Sequence, residues 1–81
     1  MHPGNHLGSG AQAGAARIAS AIDRAYESTG ARARLCLENM AGAGTEIGTT
    51  FAELRMIIDL AQCGPTLGVC FDTCHAYGAG Y

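Results

Sequence analysis

Two short apolar runs, Arg34-Leu35-Cys36-Leu37-Glu38 and Leu67-Gly68-Val69-Cys70-Phe71-Asp72, constrain this chain more than any other feature. Each is apolar at successive positions, is bounded by Gly- or Pro-containing stretches, and ends on a carboxylate. That is the pattern of a strand buried on both faces, which belongs in a parallel sheet with helices packed over it. Helical patterns lie in the right places. From Ala11 to about Ser28 the chain is alanine-rich, Ile18, Ile22 and Tyr26 recur every four residues, and Arg17, Asp23, Arg24 and Glu27 fall mostly elsewhere on the wheel. Gly30 ends this helix. Thr50-Phe51-Ala52-Glu53 is a capping box opening a second helix, with Phe51, Leu54, Ile58 and Ala61 as its buried stripe, Ile57 beside them, and Cys63-Gly64-Pro65 as its stop. Asn39 to Gly48, which contains Gly42, Gly44 and Gly48, is expected to be irregular, and Gly78, Ala79 and Gly80 to close the chain as a loop.

The order loop, helix, strand, loop, helix, strand, loop predicts an α/β chain whose parallel strands are joined by crossover helices. Two strands alone leave open edges and an uncovered apolar face, so the sheet is expected to continue outside this sequence or with another copy of it. Size sets the same limit: 81 residues, 48% hydrophobic and 15% charged, are too apolar for disorder and too few for a thick core. A formal net charge of −2 supplies no global positive field for a polyanion, and all five basic residues are arginine. No run approaches a membrane span, and Met1-His2-Pro3-Gly4 lacks the basic and apolar regions of a signal peptide, so the expectation is a cytoplasmic protein with no membrane partner. Cys36, Cys63, Cys70 and Cys74 lie mostly in or beside apolar runs and are expected to be reduced, small buried hydrophobes.

In α/β folds, functional residues gather at the carboxyl ends of parallel strands, where Glu38 and Asp72 stand. If both point inward, Cys36 and Cys70 share their face one layer beneath, and Leu35, Leu37, Val69 and Phe71 face the helices. Asp72-Thr73-Cys74-His75 adds an imidazole beside that mouth, and Met1-His2-Pro3-Gly4-Asn5-His6 brings more. Histidine with carboxylate and no required thiolate is the ligand set of catalytic zinc or manganese sites, in which a carboxylate can bridge two metals about 3.5 to 4 Å apart. Plain alternatives stand beside this reading. His2 could be an unanchored terminal residue, His6 a loop or helix cap, and each carboxylate a helix cap or arginine partner. Gly42-Ala43-Gly44 could offer amides to a phosphate, although no phosphate-loop lysine follows.

The blocks His2-Pro3-Gly4-Asn5-His6-Leu7-Gly8, Leu37-Glu38-Asn39-Met40-Ala41-Gly42-Ala43-Gly44 and Gly68-Val69-Cys70-Phe71-Asp72-Thr73-Cys74-His75-Ala76-Tyr77-Gly78-Ala79-Gly80-Tyr81 resemble, in order and spacing, signature blocks of the endonuclease IV family, the metal-dependent apurinic/apyrimidinic endonucleases. The resemblance implies a TIM-type (β/α)8 barrel with three zinc ions at its carboxyl face, cleaving the phosphodiester 5′ to abasic sites in double-stranded DNA during base excision repair. Such barrels run to about 250 residues, so residues 1–81 are expected to be a partial barrel domain, its central βα units. Residue by residue, His2 would ligate the first zinc, Glu38 would bridge the first and second and hold the catalytic geometry, Asp72 would ligate the second, and His75 the third. The family's remaining ligands have no counterpart here, which predicts no activity for this chain alone. Asn5 stands where serine is frequent and Ala43 where glutamine is. The family is typically monomeric, while a partial sheet is open to self-association. Two other readings compete. One is a metal-dependent sugar isomerase-like barrel, which a catalytic lysine would favour and this lysine-free sequence does not; the other is an inactive remnant holding one zinc weakly through His75 and Asp72 or through its cysteines.

Overall fold

The computed structural model describes residues 1–81. A two-residue strand, β1 (Gly4–Asn5), leads into α1 (Ala11–Thr29), then β2 (Cys36–Glu38), β3 (Glu46–Ile47), α2 (Phe51–Leu60), a 3-10 turn (Gly64–Thr66), β4 (Gly68–Cys70) and α3 (Thr73–Gly78).

Helix α1 ends where a left-handed residue takes over: Gly30, at φ 63°, donates its N–H to the Tyr26 carbonyl. The buried face of α1 is narrower in side chains than the isoleucine spacing suggests. Gly14, Ala15, Ala19 and Ile22 are buried, whereas Ile18 and Tyr26 pack against the margin of the core. Small residues win the central positions because α1 closes tightly on β3. A Cβ on Gly14 would lie 2.8 Å from the His6 Cβ and collide with the Ile47 side chain. Leu37, Ile47, Leu54, Ile57, Ala61 and Leu67 complete the core. Tyr26 earns its marginal place through its hydroxyl, which donates to the Ala33 carbonyl at 2.6 Å and accepts the Leu35 N–H at 2.9 Å, holding the approach to β2.

At the start of α2, Thr50 Oγ1 accepts the Glu53 N–H at 3.1 Å, as a capping box requires. The reciprocal arm reaches further back, because Glu53 Oε2 accepts from Gly48 N–H at 2.7 Å and Thr49 N–H at 3.0 Å. Phe51 is not in the buried stripe as expected. It is 45% exposed, and its ring centroid lies 4.8 Å from that of Tyr81 and 6.0 Å from that of Phe71. The far end of α2 is tied down by Asp23 of α1, whose carboxylate accepts the backbone N–H groups of Gln62 and Cys63 at 2.8 and 3.0 Å.

The expected parallel sheet is present. β2 pairs with β4 in the register Cys36↔Gly68, Leu37↔Val69, Glu38↔Cys70. On the other edge of β2, the Met1 ammonium donates to the Cys36 carbonyl at 2.6 Å and Glu38 N–H donates to the Met1 carbonyl at 2.9 Å. One residue bonding two positions spaced this way is a parallel rung, so the sheet continues for one residue beside β2 and brings His2 to the end of that strand.

Three local expectations are corrected. The Gly-rich stretch is not wholly irregular, since Glu46 and Ile47 pair antiparallel with Asn5 and Gly4, anchored by the fully buried Ile47. The chain end is not all loop: Asp72 caps α3 by accepting the His75 N–H at 2.8 Å. All four cysteines are free, yet Cys70 and Cys74 are exposed and only Cys36 and Cys63 partly buried, because Cys70 lies on the Glu38 face of the sheet, opposite the core that takes Leu37, and Cys74 is carried by α3 outside that core. Val69 and Phe71, expected to face helices, are 47% and 56% exposed, because the α1–α2 core closes over Leu37 of β2 and takes in neither of them. No helix is long and apolar enough to cross a membrane.

Candidate metal centre

Four side chains singled out from the sequence arrive at one end of the parallel sheet by three routes. Glu38 is the last residue of β2, His2 follows the Met1 rung beside it, and Asp72 and His75 are the cap and first turn of α3 beyond β4. His2 Nε2 lies 3.4 Å from Glu38 Oε2, and His75 Nδ1 lies 3.3 Å from Glu38 Oε1. The two imidazole rings meet edge to face with centroids 5.7 Å apart. One ligating atom from each of His2, Glu38 and His75 falls within a 4.8 Å span. Asp72 stands at the border of this group, its Oδ2 3.6 Å from His75 Nδ1 while Oδ1 is committed to the helix cap.

The register explains why Asp72 is less central than Glu38. Cys70, not Asp72, is level with Glu38 across the ladder, so Asp72 stands two residues further out and returns only through the turn into α3. Its carboxyl is held below the ordinary value of 3.8, chiefly by the His75 backbone N–H and against the opposing effect of burial, so it is ionised near neutral pH. Glu38 and His75 are partly buried and His2 is the most open of the group, an arrangement in which a shielded carboxylate is flanked by imidazoles at the solvent mouth.

This donor set suits a divalent metal of the zinc or manganese type. Two neutral imidazoles supply lone pairs, and two carboxylates supply charge that offsets the ion. His6 does not join it. Its Nδ1 accepts the N–H groups of Gly8 at 3.0 Å and Gly10 at 3.3 Å, the loop-capping alternative. The amides of Gly42 and Ala43 are not a vacant phosphate cradle either, because both donate to Glu46 Oε2, at 3.2 and 2.8 Å, so the chain's own carboxylate fills it. Asn39 was not singled out from the sequence. It is buried, its side chain bonds the backbone of Asp72, and its carbonyl lies 2.8 Å from His75 Nδ1. An asparagine directly after a strand-ending carboxylate is the only linear sign of that role.

Parallel strands with a crossover helix, and histidines and carboxylates gathered at their carboxyl end, define the class as a β/α-barrel type of unit with a cluster able to hold a metal. The chain belongs to the xylose isomerase-like TIM barrel family, whose model matches residues 1–81. It is 47% identical over 81 residues to a protein of Halothermothrix orenii named "Probable endonuclease 4", a match covering 100% of this chain and 29% of that protein. Proteins of the same name from Methanoculleus marisnigri and Staphylococcus aureus (strain JH9) are each 46% identical, covering 99% and 100% of this chain and 29% and 27% of their own lengths. The chain thus spans a little over a quarter of the length of these relatives.

Proposed function

We propose that this chain supplies part of the metal-binding centre of a zinc-dependent DNA repair endonuclease of the endonuclease IV type, a hydrolase cleaving the phosphodiester 5′ to abasic sites in duplex DNA. The observation that carries the reading is the convergence of His2, Glu38 and His75 within 4.8 Å, with Asp72 beside them, in a chain whose relatives are named endonucleases. His2, Glu38, Asp72 and His75 would hold the zinc, with Glu38 between the two histidines. Bound zinc supplies Lewis-acid activation of water and charge neutralisation at the phosphate. Glu38 fixes the spacing of the ligand set, because its backbone is pinned by the Met1 rung on one side and by β4 on the other. The cap on α3 fixes His75 relative to Asp72. Water adds to phosphorus, the bond to the 3′ oxygen breaks, and that oxygen leaves as a hydroxyl, with no side-chain nucleophile required.

The test places residues 1–81 in the corresponding stretch of the Halothermothrix orenii relative and measures nicking of a duplex oligonucleotide carrying one abasic site, with zinc added. The expected outcome is incision 5′ to the site by the chimera, loss of at least a hundredfold with Glu38→Gln, and no incision by the 81-residue chain alone. A folded, zinc-loaded chimera that leaves abasic DNA intact would overturn the reading.

A further inference from the structure

Resting on the metal reading above, we infer that Asn39 is a positioning residue for the centre. Its side-chain amide replaces the missing rung between the ends of β2 and β4, and its carbonyl selects the nitrogen that His75 offers to a metal.

The backbone ladder between the strands ends at Glu38↔Cys70. Beyond it no backbone hydrogen bond joins Asp72 to the β2 side; its carbonyl's backbone partner is the Ala76 N–H at the start of α3. The Asn39 side chain supplies both halves of such a pair. Its Oδ1 accepts the Asp72 N–H at 2.6 Å and its Nδ2 donates to the Asp72 carbonyl at 3.0 Å. A primary amide carries the same donor and acceptor as a peptide group; aspartate lacks the donor, and leucine, similar in shape, lacks both. Asn39 is only 2% exposed, so water cannot take over either bond when the amide is removed. Because Asp72 is also the cap that starts α3, the same clamp sets where His75 stands.

The main chain of Asn39 makes the second contribution. Three oxygens face His75 Nδ1: the Asn39 carbonyl at 2.8 Å, Glu38 Oε1 at 3.3 Å and Asp72 Oδ2 at 3.6 Å. A carbonyl and two carboxylates only accept, so Nδ1 carries the proton and the lone pair of the neutral ring is on Nε2. A histidine ligand held by a carbonyl at its other nitrogen is fixed in tautomer and ring orientation before the metal arrives.

Imidazole proton–nitrogen correlation spectra of the metal-free, nitrogen-15-labelled 81-residue chain at pH 8, followed by cobalt(II) titration, test the inference. Wild type is expected to show His75 in the Nδ1–H form. Asn39→Leu should mix the two tautomers and weaken cobalt binding about 10- to 100-fold. Asn39→Asp, which keeps the acceptor for the Asp72 N–H, should retain the Nδ1–H form. Asp23→Asn loosens the fold away from the centre and should leave cobalt affinity within twofold of wild type. An Nε2–H His75 in wild type, an Asn39→Leu chain with unchanged tautomer and affinity, or an equal loss of affinity in Asp23→Asn would each overturn the role of Asn39. A chain with the expected tautomer and no cobalt affinity would support the clamp and overturn the metal reading instead.

Discussion

β2 and β4 are written alike and live differently. Each run has a cysteine two residues before a carboxylate with an apolar residue between, and the two strands pair in parallel with those matching positions offset by two residues. Yet Leu37 is completely buried while its partner Val69 is 47% exposed. β2 is bracketed by the Met1 rung and β4 and covered by the core of α1 and α2; β4 has one paired edge and no helix over its outer face. The comparison teaches that a strand-like pattern specifies which residues are able to be buried, and that burial itself is supplied by neighbours. It also divides the site. Glu38 is positioned by a strand held on both sides, whereas Asp72 and His75 are positioned by polar devices: a helix cap and the Asn39 amide.

The largest test of this contrast is a pair of truncations measured by chemical denaturation. Leu37→Ala is expected to cost about 3 kcal/mol, because it opens a cavity in a fully packed core. Val69→Ala should cost less than about 1 kcal/mol, since the removed methyls already touch solvent. Equal losses would mean that β4 is covered in solution, by self-association of the chain for instance, and sedimentation would then show the oligomer.

A smaller effect sharpens the polar side. Asp23 takes the Gln62 and Cys63 N–H groups just before the turn that leads into β4, and Asp23→Asn should destabilise by roughly 1 to 2 kcal/mol, the scale of hydrogen bonds to a charged acceptor. The contribution depends on pH with a definite sign. The Cys63 thiol, followed by the two backbone N–H groups, holds the Asp23 carboxyl below its ordinary value of 3.8 in the folded chain. Its stabilisation is therefore complete above the unfolded value and is lost as pH falls through the depressed one. Urea midpoints recorded from pH 6 downward should decline less in Asp23→Asn than in wild type. Conversely, burial and then the Asp23 carboxylate push the Cys63 thiol up, so Cys63 stays protonated and should react with iodoacetamide more slowly than the exposed Cys70 and Cys74.

The smallest effect is a control belonging to neither strand. Arg55 and Asp59 form an i,i+4 pair at 2.9 Å on the open face of α2, and Arg55→Ala should change stability by less than about 0.5 kcal/mol. A larger loss would show that the α2 surface is itself covered.

Much of the fold was legible in linear signals with local physical causes. The α1 boundaries follow from alanine propensity and the left-handed Gly30, and the start of α2 from Thr50 with Glu53. The candidate site was legible as residue types at strand ends, but their shared face was not, since it needs the register that sets Cys70 level with Glu38 and Asp72 two residues beyond; a one-residue slip would send them to opposite faces. What was not legible depends on partners distant in sequence. Phe51 has a helical-stripe position but packs on Phe71 and Tyr81. The amides of Gly42 and Ala43 look open to an anion until Glu46 is found to occupy them. Asn39 reads as a loop residue until Asp72 is brought against it from 33 positions away.

Local chemistry in the sequence determined the helices, the parallel pairing of two carboxylate-terminated strands and the supply of imidazoles and carboxylates, since propensity, caps and side-chain alternation act over a few residues. Tertiary structure alone decided which of those groups meet. The Met1 rung carries His2 to Glu38, the register leaves Asp72 two residues beyond it, and the Asn39 amide bridges that interval. Each of these is a hydrogen bond between segments whose approach is governed by the packing of α1, α2 and the sheet, which no short stretch of sequence contains.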